Sequence, residues 1–223
     1  NKNDRTIFTV NKIVLFSNCD AKNKLGSTTN FTIENLYQFT DMALFINSTS
    51  MEEKTMENTF KEVSIHNINY NLMPEMGQPK LYFKSLNQFA KSDIPIAEHE
   101  ITDHFNFTVT ADDEANLDAP ILYNNLANPI TLSYHNQNIK TDYTLTNTAT
   151  PITYDGSLLK RCNVDLNSIA CKLSFDIYIT NNLDEKFKTT LFIEIPLQAE
   201  GKSILDGNLN VTQDTNYVFY RYQ

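Results

Sequence analysis

Two cysteines stand nine positions apart in RCNVDLNSIACKLSFDIYIT, residues 161–180. A redox dithiol is normally a Cys-x-x-Cys at a helix start, and that spacing is missing here. Zinc takes four ligands, and no His stands at finger spacing to supply them. The residue types therefore predict a structural pair. A hairpin turning near Asp165 to Asn167 sets Cys162 opposite Cys171, and a disulfide forms if the register brings their Cα atoms within about 7 Å. Cys19, in SNCDAK, is the thiol left over from an odd count of three.

Two clusters could hold a metal. In EHEITDH, His99 and His104 lie beside Glu98, Glu100 and Asp103, donor types that suit zinc or a transition metal when they converge. Strand alternation would put the two imidazoles on opposite faces, so a solvated polar loop is the simpler expectation. The loop ADDEANLDAP gathers Asp112, Asp113, Glu114 and Asp118. Calcium binds six to eight oxygens and a loop can supply them, which makes calcium the one cofactor the sequence suggests. The spacing is not that of an EF-hand, and a solvated acidic loop explains it as well.

Signatures of catalysis are missing. The chain has no Gly-x-Ser-x-Gly, no phosphate-cradling glycine loop, no His-Glu-x-x-His and no dinucleotide fingerprint. The Asp155-Gly156-Ser157 stretch reads first as a turn. Separated carboxylates could form a glycosidase pair, but carbohydrate clefts usually display aromatic platforms, and the chain has no Trp. No enzyme activity is expected, and no catalytic residue is assigned. Lys, Asn and an acidic residue meeting in a β-sandwich core can form a spontaneous isopeptide cross-link, as in some surface pilins. The residue types are everywhere here, so the sequence selects no triad. Sequons open at Asn30, Asn47, Asn106 and Asn210, no more than the abundance of Asn yields by chance.

Charge narrows the partners. The net charge is −9 and the pI about 4.9, whereas phosphate binding needs a basic patch. Lys12, Lys22 and Lys24 are a thin substitute, so nucleic acid is not an expected partner. No apolar run approaches the ~18 residues of a transmembrane helix. The opening NKNDRT has no apolar signal core and does not begin with Met, which fits a removed export signal and equally a trimmed chain.

The elements that would position these residues are strands. Cys171, Leu173, Phe175, Ile177 and Ile179 alternate with polar residues, NNLDEK follows, and Leu191, Ile193, Ile195 and Leu197 alternate again. This predicts a β-hairpin. Further strands are expected in TIFTV, KIVLFS, MALFIN, EVSIHNINY, KLYF, HFNFTVT, PITLSY, DYTLT and NYVFYRY. Ser50 and Glu53 form a capping box ahead of MEEKTMENTFKE, where Met56 and Phe60 could share a helical face. SLNQFAK suggests another turn or two of helix, and FTIENLYQFTDM reads as helix or as loop and strand. With five glycines in the chain, Asn and Asp must take most positive-φ turn positions.

Many short strands, each with one wet face, predict an all-β fold: an antiparallel β-sandwich, jelly-roll-like, with one or two short helices. The expected organisation is one sandwich domain over residues 1–223, with 111–120 as the natural internal boundary. FDIYITNNLDEKFKTTLFIEIPL resembles the hairpins of Ig-like and pilin-like repeats in bacterial surface proteins, a likeness of alternation that places the chain in no named family. The expected function is an exported, non-enzymatic structural or cell-surface subunit, extracellular, associating with identical subunits into a fibre by donating a terminal strand. RTIFTVNKIVLF and NYVFYRYQ are the apolar terminal segments that could be donated. One alternative is an adhesin-like or carbohydrate-binding module contacting a glycan or host-surface ligand through Tyr123, Asn124, Asn125 and Tyr134. Another is a viral capsid or tail protein.

Overall fold

The computed structural model describes residues 7–48, 55–107, 129–141 and 143–222. The chain opens with two long strands, β1 (Phe8–Gly26) and β2 (Phe31–Ser48), then β3 (Phe60–Leu72) and β4 (Gln78–Phe83). After two single 3-10 turns come β5 (Phe105–Phe107), β6 (Ile130–Lys140) and β7 (Tyr143–Leu145). A short helix α1 (Ser157–Arg161) and a 3-10 turn precede β8 (Cys171–Asn181) and β9 (Lys186–Ile195). A minor ribbon of β10 (Gln198–Ala199) and β11 (Lys202–Ser203) leads to β12 (Leu209–Val218) and β13 (Tyr220–Tyr222). The fold is the expected antiparallel β-sandwich, with few helical residues.

One sheet runs β12-β1-β2-β6-β4, with β7 beside the far end of β2, and the other runs β13-β9-β8-β3-β5. The hairpin read from alternation forms as β8 and β9, in register from Cys171 opposite Ile195 to Thr180 opposite Lys186. At the start, residues 8–10 and KIVLFS join as one strand because a bulge between Val10 and Lys12 lets the chain pair on past the interruption. FTIENLYQFTDM, ambiguous in the sequence, is all strand, since pairing with β1 on one side and β6 and β7 on the other satisfies its backbone. The turn joining β1 to β2 depends on Gly26, at φ 101°, where a Cβ would lie 2.3 Å from the Asn30 carbonyl oxygen. Among the described residues, eight non-glycine positions have positive φ, and six of them are Asn or Asp: Asn23, Asn67, Asn138, Asn147, Asn163 and Asp184.

The inner faces of the two sheets bury one core. Ile13, Leu15, Met42 and Leu44 from the first sheet meet Phe175, Ile177, Leu191 and Ile193 from the second. At one end, Phe8 touches Phe60, Phe187 and Phe219 edge-on, with ring centroids 6.0, 5.3 and 6.4 Å away. The β1–β2 hairpin outruns the second sheet. Its far end, with Cys19, Ala21, Phe31, Ile33 and Leu36, is covered instead by Leu158, Leu159, Cys162, Val164 and Ile169. A third apolar group, Phe16, Tyr37 and Phe39, lies on the outer face of the first sheet under Phe89 and Ile94.

Some expectations change. Phe60 begins a strand and is buried, while Met56 is exposed in a turn, so the two do not share a helical face. The core claims Phe60 because its ring closes the Phe8 cluster. The capping box of Ser50 and Glu53 and the boundary at 111–120 lie outside the described residues. SLNQFAK contributes a 3-10 turn at Leu86–Gln88. Among the described residues no helix is long and apolar enough to cross a membrane.

The aromatic end should dominate stability. Phe8→Ala removes a fully buried ring touching three others, and a loss of ~3–5 kcal/mol is expected in urea unfolding. The exposed Phe192→Ala should shift the same curve by less than 1 kcal/mol, roughly.

Candidate functional site

The strand that joins the two sheets leaves a gap beside it. Having paired with β1 as β12, the chain crosses at the buried Phe219, whose amide donates to the Phe8 carbonyl, and pairs with β9 as β13. That last pairing covers only Lys186 to Lys188 of β9. The Tyr217 hydroxyl then donates to the Phe192 carbonyl at 3.2 Å. Among the described residues, no strand pairs with Thr189–Ile195 on this side, nor with the outer edge of β12.

Two strand edges thus lie open side by side, with a cavity of about 560 Å³ between and around them. The buried Leu15, Ile193 and Leu197 line it together with the polar Lys172, Glu194 and Gln213. Phe192 is 65% exposed, an aromatic ring presented at an unpaired edge. β12 reads LNVTQDTNYV. It carries no Lys, Pro or Gly, the residues that commonly blunt an edge. Chemically the arrangement offers strand edges without a neighbour beside a cleft lined by both polar and apolar groups, which suits an added strand.

A second concavity, about 370 Å³, lies on the outer face of the second sheet. Glu62, Ser64, His66, Asn67, Tyr178 and Tyr222 line it. His66 accepts or donates a hydrogen bond with Ser64 at 2.9 Å, stacks on His104 with centroids 5.3 Å apart, and meets the Tyr178 ring edge-on. Beneath Asn67, Asp176 accepts hydrogen bonds from Asn67 at 2.7 Å and Thr190 at 2.5 Å and pairs with Lys188 at 3.4 Å. Burial pushes the Asp176 carboxyl up, but the hydrogen bonds from Thr190 and Asn67 and the Lys188 charge outweigh it and hold the carboxyl below its ordinary value.

The residues singled out in the sequence do not gather into one site. Cys162 and Cys171 are free thiols, as is Cys19. Cys162 caps α1 and sits with Cys19 in the hairpin-end cluster, whereas Cys171 begins β8 in the main core. No hairpin turn joins them, because Asp165 caps a 3-10 turn over Leu166–Ile169 instead. Burial pushes the Cys162 and Cys171 thiols up to about 11 and Cys19 well above its ordinary value, so all three stay protonated at neutral pH.

His99 packs against Phe83 at 5.3 Å, away from the His66–His104 stack, and Glu100 pairs with Lys80 at 3.7 Å. No group of three metal-ligating side chains converges among the described residues. The acidic cluster Asp112, Asp113, Glu114 and Asp118 lies outside them, as do Tyr123, Asn124 and Asn125. Tyr134 is no surface contact. It lies in β6 facing the core and is fully buried.

Sequence reasoning missed the most deeply buried ion pair among the described residues, Lys84 with Asp41, at 2.6 Å. A single charge inside the apolar run FTDMALF was the available signal. Against known proteins, no family model, no curated protein and no solved structure matches the chain.

Two outcomes are expected. A carboxyl held below its unfolded value, about 3.9, stabilises the fold above that pH and stops doing so as pH falls through its folded value. Urea unfolding of wild type and Asp176→Asn should therefore differ at neutral pH and converge below pH ~4. All three thiols should resist a thiol-reactive dye in the native protein and react once it is unfolded, and reductant should leave the intact mass unchanged.

Proposed function

We propose that this chain is a non-enzymatic structural subunit that associates with copies of itself by strand addition at the open side between β12 and β9. The observation that carries the reading is the pair of unpaired strand edges beside a cleft of mixed lining, with the exposed Phe192 ring at one of them. Each unmet backbone group there is a donor or acceptor that an added strand satisfies, and alternate side chains of that strand would fill the cleft. A head-to-tail contact of this kind propagates into a filament unless its rotation closes. The free thiols supply no argument for export, so a place on a cell surface is a separate part of the proposal. It is tested by fractionating the source cells.

The donating segment is an edge of the second copy rather than β1. That strand is held between β12 and β2, with Phe8 and Val10 fully buried, so releasing it would open the core. The rival reading, a binding module for a glycan, is favoured by the Tyr178–His66–Tyr222 concavity on the opposite sheet face. Tyr offers contact area and a hydroxyl at low entropic cost.

Sedimentation velocity over a concentration series, with negative-stain microscopy, separates the two. The wild-type chain should form ordered assemblies. Thr212→Lys with Gln213→Lys, both exposed on β12, should give a monomer with an unchanged circular dichroism spectrum. A wild-type protein that stays monomeric throughout rejects self-assembly. A glycan array signal lost in Tyr178→Ala would then establish the binding module.

A further inference from the structure

The outer face of the first sheet holds a charged pair sealed from water. Asp41 lies on β2, Lys84 just beyond β4, and β6 runs between those two strands. The side chains are 0% and 4% exposed, with Lys84 Nζ 2.6 Å from Asp41 Oδ2. Phe39 forms one wall, 5.0 Å beneath the amine, and His135 stacks on Phe39 and Tyr37 beside it. The lid is the segment after β4. The Lys91 carbonyl accepts from Nζ at 2.7 Å, and the Ala90 amide donates to Oδ2 at 2.8 Å. From β6, Ser133 donates to the other carboxyl oxygen, Oδ1, at 2.5 Å.

We propose that Lys84 and Asp41 condense to an intramolecular amide, a covalent staple joining β2 to the end of β4 across β6. The amine, the carboxyl and a hydroxyl donor to Oδ1 are held together. Inside the pair a proton passes from the ammonium to Oδ2, giving a neutral amine beside a neutral carboxylic acid. The Nζ lone pair attacks Cγ, forming the carbon–nitrogen bond. Charge collects on Oδ1, where the Ser133 hydroxyl stabilises it. A second amine proton moves to Oδ2, the Cγ–Oδ2 bond breaks, and one water leaves. No oxidant, reductant or co-reactant is consumed.

Burial favours the reactive forms: it pushes the Asp41 carboxyl up and the Lys84 amine down, and in each case it outweighs the partner's opposite charge. Condensation also removes the cost of keeping two opposite charges out of water, since the amide is neutral. Proximity of this kind replaces a bimolecular encounter with a unimolecular step.

Intact-mass spectrometry of the whole chain tests the proposal. The wild-type protein should be lighter than its sequence by the mass of one water. Its tryptic digest should contain a branched peptide joining the segments that carry Asp41 and Lys84. Lys84→Arg, which keeps the charge, should restore the full sequence mass. An unmodified wild-type mass overturns the proposal. So does a water loss that persists in Lys84→Arg, because Asp155–Gly156 and Asp206–Gly207 lose water as cyclic imides. That imide hydrolyses in mild base, and the amide does not. Should Lys84→Arg fail to fold, the branched peptide from wild type decides the question alone.

Discussion

Everything else in this protein depends on two sheets hiding one face each against the other. An antiparallel sheet with one apolar face is not stable in water alone, and here both inner faces are continuous rows of Phe, Leu, Ile and Val. The chain secures the arrangement by sending one strand through both sheets. β12 belongs to the first, β13 to the second, and Phe219 at the crossing is buried against Phe8. That crossing closes one end of the sandwich. Farther along, the two edges separate around the cleft by Phe192.

The two outer faces are treated differently, and the difference is chemical. The first sheet is covered on its outer face by the segment after β4, which brings Asp41, Lys84, Ser133 and a neutral His135 out of water. Burial lowers the His135 imidazole to about 3, with Lys84 adding to the effect. Removing charges from water is costly unless they are paired and hydrogen-bonded, and this pair has both kinds of partner. The second sheet keeps its outer face wet, with Asp176, Lys188, Asn67 and Thr190 forming a polar network there.

The proposed structural role rests on two features of this fold. The deepest titratable groups are walled by aromatic rings and a backbone lid rather than placed in an open cleft. The cleft beside β9 and β12 has a mixed polar and apolar lining and is bordered by unpaired strands. A staple across three neighbouring strands and an adhesive edge would both serve a protein that bears load.

Alternation alone determined the class of fold and the faces of its central hairpin. Side chains two apart in a strand must share a side, so Cys171, Leu173, Phe175, Ile177 and Ile179 could be assigned inward directly, and all five are buried. The scarcity of glycine likewise fixed Asn and Asp as turn formers. Three things were beyond the sequence because they depend on residues far apart in the chain. FTIENLYQFTDM became strand through partners on either side. Cys162 and Cys171 were separated into different apolar groups by a 3-10 turn that packs as a cover. Asp41 and Lys84, forty-three positions apart, met because β6 inserted between their strands and a lid excluded water. Local periodicity reports which side of a strand a residue takes, but only tertiary packing decides what stands opposite it.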